Sequence, residues 1–196
     1  MNFLDHVRST RTCRRFDAHT ALDATTLSWL VDCARLTSSG GNLQPLRYIT
    51  VQKSETREKL YPALAWAGYL KDWNGPVAEE RPTGYILFLT ESRGENKPGH
   101  MTYIDFGIAA QTIQLAARSR ELGTCIFLSF KEREIKENLP IPEEYEILSV
   151  MAVGKPVEEA QIVPVPEDGS VKYYRNEAGV HFVPKRSLQD ILLAEL

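Results

Sequence analysis

Arg11-Thr12-Cys13-Arg14-Arg15-Phe16 crowds three guanidinium groups around one hydroxyl. Guanidinium forks grip phosphate well, because charge-assisted hydrogen bonds are shorter and stronger than neutral ones. Arg11 and Arg14, three positions apart near a helix end, can address one phosphate. A second segment, Ser38-Ser39-Gly40-Gly41-Asn42-Leu43-Gln44-Pro45-Leu46-Arg47, joins flexible backbone to directional donors. Its glycines permit positive φ and close approach, and its Ser and Asn side chains can meet the edge of a heterocycle. Pro184-Lys185-Arg186 adds two cations far along the chain. Together these segments read as a site for a phosphorylated, planar, hydrogen-bonding ligand. Taken singly, each also fits a plainer role: a solvated basic loop, a helix C-cap with its turn, a surface charge pair.

Other chemistry has little support. No GxGxxG follows a strand-like run, and there is no GxxxxGK[ST] or GxSxG; a resident dinucleotide, a phosphate-binding P-loop and a nucleophile elbow are not indicated. The histidines (His6, His19, His100, His181) are scattered, so no metal site is expected. Cys13, Cys33 and Cys125 form no CxxC pair, which suits a reducing compartment. Of the three, only Cys13, flanked by arginines, has a setting that could lower a thiol pKa. Asp105 reads as a structural partner, not a general base. With few candidate acids, bases or nucleophiles, a cofactor should bring the chemistry.

The elements that must position these residues follow from hydrophobic period and punctuation. Asn2–Ser9 reads as a short helix, and Asp23 caps a better one over Thr25–Leu36, with Leu27, Leu30, Val31 and Ala34 on one face. The loop 37–45 breaks it, Gln44-Pro45 makes an extended lead-in, and Leu46–Gln52 reads as a strand. Ser54 is expected to cap a helix running to Leu64. Residues 65–83, with Trp66, Trp73 and Tyr69, have no clean period and read as a flap. Gly84–Thr90 is an unbroken apolar run, hence a buried strand. A polar turn, Glu91–Gly99, precedes the longest helix, Met101–Leu122. That helix is apolar around much of its circumference and belongs in a core or a subunit interface. Thr124–Leu128 and Tyr145–Val153 read as strands and Lys131–Leu139 as a helix. One domain over 1–196 is expected, with 158–186 an extended arm and 187–196 a terminal helix. Regular βαβ alternation is interrupted, so the class is α+β.

Composition bounds the partners. The 196 residues are 43% hydrophobic and 25% charged, ordinary for a globular chain, and the net charge of −3 gives nucleic acid or an anionic membrane no purchase. No run is long enough to span a bilayer, and the first twelve residues lack a signal peptide's apolar core. A cytoplasmic location is expected.

Five ordered motifs, RTCRRF, SSGGNLQPLRY, IDFGIAAQTIQLAARSRELGTC, VMAVGKP and VPKRSLQDI, span nearly the whole chain. In this order they resemble the FMN-dependent nitroreductase family. The resemblance implies an α+β fold with a mostly antiparallel central sheet wrapped by helices. It also implies a domain-intertwined homodimer with two FMN sites at the interface. It places Arg11, Thr12 and Arg14 at the phosphate and flavin edge, and Ser38, Ser39, Asn42 and Gln44 on a loop that reaches the partner's flavin. Leu128 and Ser129 fall beside the flavin ring, Lys185 and Arg186 at the phosphate, and Tyr103–Ala117 on the interface helix. Ala110 and Ile113 are expected on the face that meets the partner.

The implied activity is NAD(P)H oxidation coupled to reduction of nitroaromatics, quinones or a similar small electron-poor acceptor. The scheme is ping-pong through flavin N5, with NADH or NADPH a transient hydride donor and no catalytic side chain. Three positions depart from the pattern: Ser38 for proline, Leu46 for tryptophan after Gln-Pro, and Leu128 for glycine. Leu128 keeps open a flavin-binding protein with little reductase activity, serving storage, sensing or assembly. A reductive dehalogenase-type relative is a further alternative.

Overall fold

The computed structural model describes residues 2–70, 73–91 and 98–196. Its centre is a four-stranded antiparallel sheet of β1 (Arg47–Val51), β2 (Gly84–Glu91), β3 (Gly123–Phe127) and β4 (Tyr145–Gly154), in the order β1-β2-β4-β3. Unbroken apolar runs build its middle because both faces are covered. On β2, Ile86 and Phe88 face one core while Tyr85, Leu87 and Leu89 face the other; on β4, Met151 and Val153 oppose Val150 and Ala152.

Helices α2 (Ala24–Arg35) and α4 (His100–Ser119) cover the first face through Leu27, Leu30, Phe106, Ala109, Ala110, Ile113 and Ala117. Helices α3 (Ser54–Leu60) and α5 (Glu132–Asn138) close the second with Leu60 and Ile135. The leading helix α1 (Phe3–Ser9) is pinned to α4 where His6 Nε2 lies 2.9 Å from the Leu115 carbonyl. Asp23 caps α2 as expected, accepting from the Thr26 amide at 2.6 Å. The fold is α+β, as anticipated.

Several expectations need correction. Lys53, not Ser54, occupies the N-cap of α3, without a side-chain bond, and the helix ends at Leu60. Pro62 has no N–H to continue the ladder, so the chain tightens to a 3-10 turn over Tyr61–Ala63. The 65–83 stretch is tied down: the Trp66 ring lies 4.7 Å from that of Phe127, and the Tyr61 hydroxyl donates to the Pro76 carbonyl at 2.7 Å. Lys71 and Asp72 in it, and 92–97 of the expected polar turn, lie outside the described residues.

The expected arm, 158–186, folds into a second sheet. Strands β5 (Ala160–Pro164) and β7 (His181–Lys185) pair in parallel, and β6 (Tyr174–Arg175) adds to β7. Pairing satisfies backbone groups that an arm would leave to water. The expected terminal helix shrinks to α6 (Leu188–Ile191), closed by a Ser187–Asp190 capping box. A single turn with exposed Leu188 and Ile191 has no packing to extend it.

Ala110 and Ile113, expected at a subunit interface, are 1% and 0% exposed inside the chain's own core. The outward face of α4 is carried instead by Met101, Tyr103, Ile104 and Ile108.

Candidate functional site

The arginine segment is laid along the edge of β3. Thr12 bridges Thr124, and the Cys13 amide donates to the Thr124 carbonyl at 2.8 Å. Fully buried Phe16 anchors the end of the segment. Two glycines make the close approach possible. A Cβ on Gly123 would sit 2.7 Å from Cys13 Cβ, and one on Gly154 would sit 2.9 Å from Phe16 Cδ1.

The three arginines then diverge. Arg15 donates through Nε to Glu80 Oε2 at 2.6 Å, and that bond raises its pKa above the ordinary value. It fastens the segment to the turn at 78–80. Arg11 uses Nη2 on the Val7 carbonyl at 3.1 Å, while its Nε is buried with no partner. Among the described residues no carboxylate pairs with Arg11, and burial lowers its pKa. Arg14 Cζ lies 4.6 Å from the centre of the Tyr173 ring, with Nη1 3.3 Å from His181 Nε2.

Arg11 and Thr12 line a cleft of about 220 Å³ with Gln114 and Arg118 of α4 and Thr124 of β3. A half-buried guanidinium with an orphaned donor and no counter-ion fits an anionic ligand. Glu158 also borders the cleft. Its side chain is 1% exposed and already committed, accepting from the Arg14 amide and from Arg175 Nη2. Cys13 is no nucleophile: its thiol is buried, donates to the Arg15 carbonyl, and is pushed far up by burial and the Glu158 charge. The Cys125 thiol is likewise pushed up to about 12, chiefly by burial.

The Ser-Gly-Asn loop sits at the other end of α4. Buried Asp105 accepts from the Ser39 hydroxyl at 2.7 Å and from the Gly40 amide at 2.9 Å. Ser39 Oγ in turn accepts from the Gln44 amide at 2.9 Å. The structural reading of Asp105 is therefore right, and Ser39 spends its proton on Asp105 of α4. Gln44 is not extended before Pro45 as expected. Its φ is 48°, with Gly41 at 56° and Asn42 at 55°. The Ser39 bond holds that costly turn; Ser38, Asn42, Leu43 and Gln44 are exposed, and Gln44 Nε2 donates to the Asn42 carbonyl at 3.3 Å. Replacing Asp105 with Ala orphans two donors. It should cost about 2–3 kcal/mol in urea unfolding; a change below about 0.5 kcal/mol, the scale of an ordinary surface substitution, would disprove the clamp.

Asp105 and Gln114 are nine residues apart on α4, about 13 Å by helix rise. One chain thus holds the arginine cleft and the Ser-Gly-Asn loop at separate places. Leu128 and Ser129 follow β3 and are exposed, with the Ser129 carbonyl held by the Ala65 amide at 3.1 Å. Leu128 does not line the cleft. Lys185 and Arg186 are exposed at the end of β7, and no hydrogen bond or ring contact among the described residues joins them to Arg11, Thr12 or Arg14. Sequence reasoning missed Glu158 and His181. Glu158 hides in an acidic pair that reads as solvated. His181 does leave a signal, one polar residue inside the apolar run Val180-His181-Phe182-Val183.

Among the described residues no cluster could hold a metal ion, and no helix is long and apolar enough to cross a membrane. Solved structures share the fold. An FMN-dependent nitroreductase from Clostridium difficile R20291 superposes with a TM-score of 0.64 at 20% identity, over 81% of this chain and 90% of that one. A Desulfovibrio desulfuricans protein, named as a nitroreductase and solved in complex with FMN, gives 0.65 at 20% identity over 100% and 98%. A Bacillus subtilis (strain 168) protein named as an NAD(P)H nitroreductase, YodC, is 23% identical over 185 residues, 81% of this chain and 92% of its own length. The model of the Nitroreductase family matches residues 7–155, and the chain is an enzyme that belongs to this family.

Proposed function

We propose that the chain is an FMN-dependent NAD(P)H oxidoreductase, acting as a homodimer on nitroaromatics, quinones or a similar electron-poor acceptor. The observation that carries this reading is the Arg11 cleft, a half-buried cation with an unpartnered Nε and, among the described residues, no paired carboxylate. Arg11, Thr12 and Arg118 supply donors there for an anionic part of the cofactor, while the Arg14 guanidinium is held against Tyr173 and His181.

The dimer rests on separation. The Ser38–Gln44 loop lies about 13 Å along α4 from the cleft, a spacing that suits a site to which two chains contribute. The exposed apolar side chains of Met101, Tyr103, Ile104 and Ile108 give such a partner a surface to bury. Lys185 and Arg186 are exposed at the end of β7 and are available to a phosphate in the assembly. The free cysteines accord with a cytoplasmic location.

Bound FMN would supply the hydride chemistry, taking electrons from NAD(P)H and passing them to the acceptor in alternation. The protein's part is to bind, orient and exclude water. Its buried thiols stay protonated, and Asp105 is occupied by the loop, so none of them is placed to move a proton. Leu128 lies outside the Arg11 cleft and leaves the proposed anion site clear; a flavin-binding protein with little reductase activity is the alternative reading.

Purified protein should be yellow, and NADH or NADPH should bleach its flavin absorbance under anaerobic conditions. A colourless preparation that takes up no added FMN would refute the assignment. Yellow protein untouched by either nicotinamide would favour the reading as a non-catalytic flavin carrier.

A further inference from the structure

Arg14 is restrained on both its backbone and its guanidinium, and what restrains it comes from the second sheet and the turn before it. The carboxylate of Glu158, between β4 and β5, accepts from the Arg14 amide and from Arg175 Nη2 of β6. His181 of β7 is 1% exposed, its ring 5.1 Å from that of Tyr173, which in turn lies under the Arg14 guanidinium. Arginine can only donate, so at 3.3 Å from Arg14 Nη1 the His181 Nε2 must be the acceptor. The imidazole proton then sits on Nδ1, which is buried with no partner.

We propose that Glu158 and neutral His181 are positioning residues for Arg14, fixing its backbone and its guanidinium respectively. The inference rests on the reading of Arg14 as a cofactor ligand. Among the described residues three charged groups act on His181. Arg14 from the N-terminal segment and Arg175 from β6 oppose a positive ring, and Glu158 favours one. Burial acts with the arginines, and the His181 pKa lies below its ordinary 6.5. A second proton on the ring would remove the acceptor for Arg14 and set two cations against each other. It would also leave a further buried N–H without a partner.

The sign follows. Above about pH 6.5 folded and unfolded chains both hold His181 neutral. As pH falls below that value the unfolded chain takes up a proton that the folded chain resists, and stability is lost down to the depressed folded pKa. FMN affinity should fall over the same interval.

The test compares wild type with His181→Gln, which offers Arg14 a carbonyl oxygen that does not titrate. Melting of the flavin-free protein and FMN titration by fluorescence are both followed from about pH 8 to about pH 5, across the ordinary histidine range. Wild type should lose about tenfold in FMN affinity, the scale of one charge-assisted bond, and its melting temperature should drop. His181→Gln should bind FMN as tightly as wild type at high pH and show neither loss. Identical pH profiles for the two proteins would overturn the inference while leaving the proposed function intact. Failure of both to bind FMN at any pH would instead overturn the proposed function, with the melting profiles still deciding the role of His181. If His181→Gln does not fold, the histidine ring signals of wild type decide: a His181 pKa at or above 6.5 refutes the proposal, and a lower one supports it.

Discussion

Ala110→Asp should leave almost no folded protein, whereas Ile108→Asp should give a folded monomer that no longer retains FMN. The two residues are two positions apart in sequence and opposite in placement. Ala110 is 1% exposed, packed among Phe106, Ile113 and Met151 under the sheet. A carboxylate there has no water and no partner, and costs of order 4 kcal/mol or more. That is a large share of the roughly 5–15 kcal/mol that holds a domain together. Ile108 is 38% exposed, on the outward face with Met101 and Ile104. A charge there costs the lone chain little, but it meets the apolar surface that a second copy would bury. Gel filtration with a flavin absorbance reading separates the outcomes. A dimeric Ile108→Asp protein would remove this face from the interface. A monomer that keeps its flavin would remove the shared site altogether.

The contrast also marks what was legible in the sequence. Helical period told that Met101–Leu122 was apolar around most of its surface, but not which part met the sheet. Small residues such as Ala109, Ala110 and Ala117 face inward because they let α4 lie close to β2 and β4; the larger Tyr103 and Ile104 stay outside. Apolar character alone does not sort the two faces, since Phe106 and Ile113 are also buried while Ile104 and Ile108 are exposed. The central strands were plain because burial on both sides writes an unbroken apolar run. The 158–186 segment was not plain, since its charged and proline-rich pieces look solvated until β5 finds β7 some twenty residues on. Parallel pairing over that span leaves no local signature. The same non-local pairing brings His181 and Glu158 to Arg14, and so explains why the arginine segment could be read while its supports could not.

Gly123→Ala should lower the melting temperature and weaken FMN together, more than Gly154→Ala weakens FMN alone. Gly123 and Gly154 face each other across β3 and β4, and both lie beneath the N-terminal segment. A methyl group on Gly123 would come within 2.7 Å of Cys13 Cβ, an atom too near the backbone to swing aside. Cys13 would have to lift, stretching the 2.8 Å bond from its amide to Thr124 and the bridge between Thr12 and Thr124. Overpacking of this kind costs about 1–3 kcal/mol, and a chain of this size loses roughly 2–4 °C per kcal/mol. Arg11 and Thr12 ride on the displaced segment, so the cleft would open at the residues proposed to hold the anion. A methyl group on Gly154 meets the Phe16 ring at 2.9 Å instead, two residues beyond Arg14 and on the far side of Cys13 from Arg11. Its strain falls on the anchor and should appear in melting more than in FMN affinity. Equal losses of affinity in the two variants would mean that Arg11 and Thr12 owe their placement to something other than their close approach to β3.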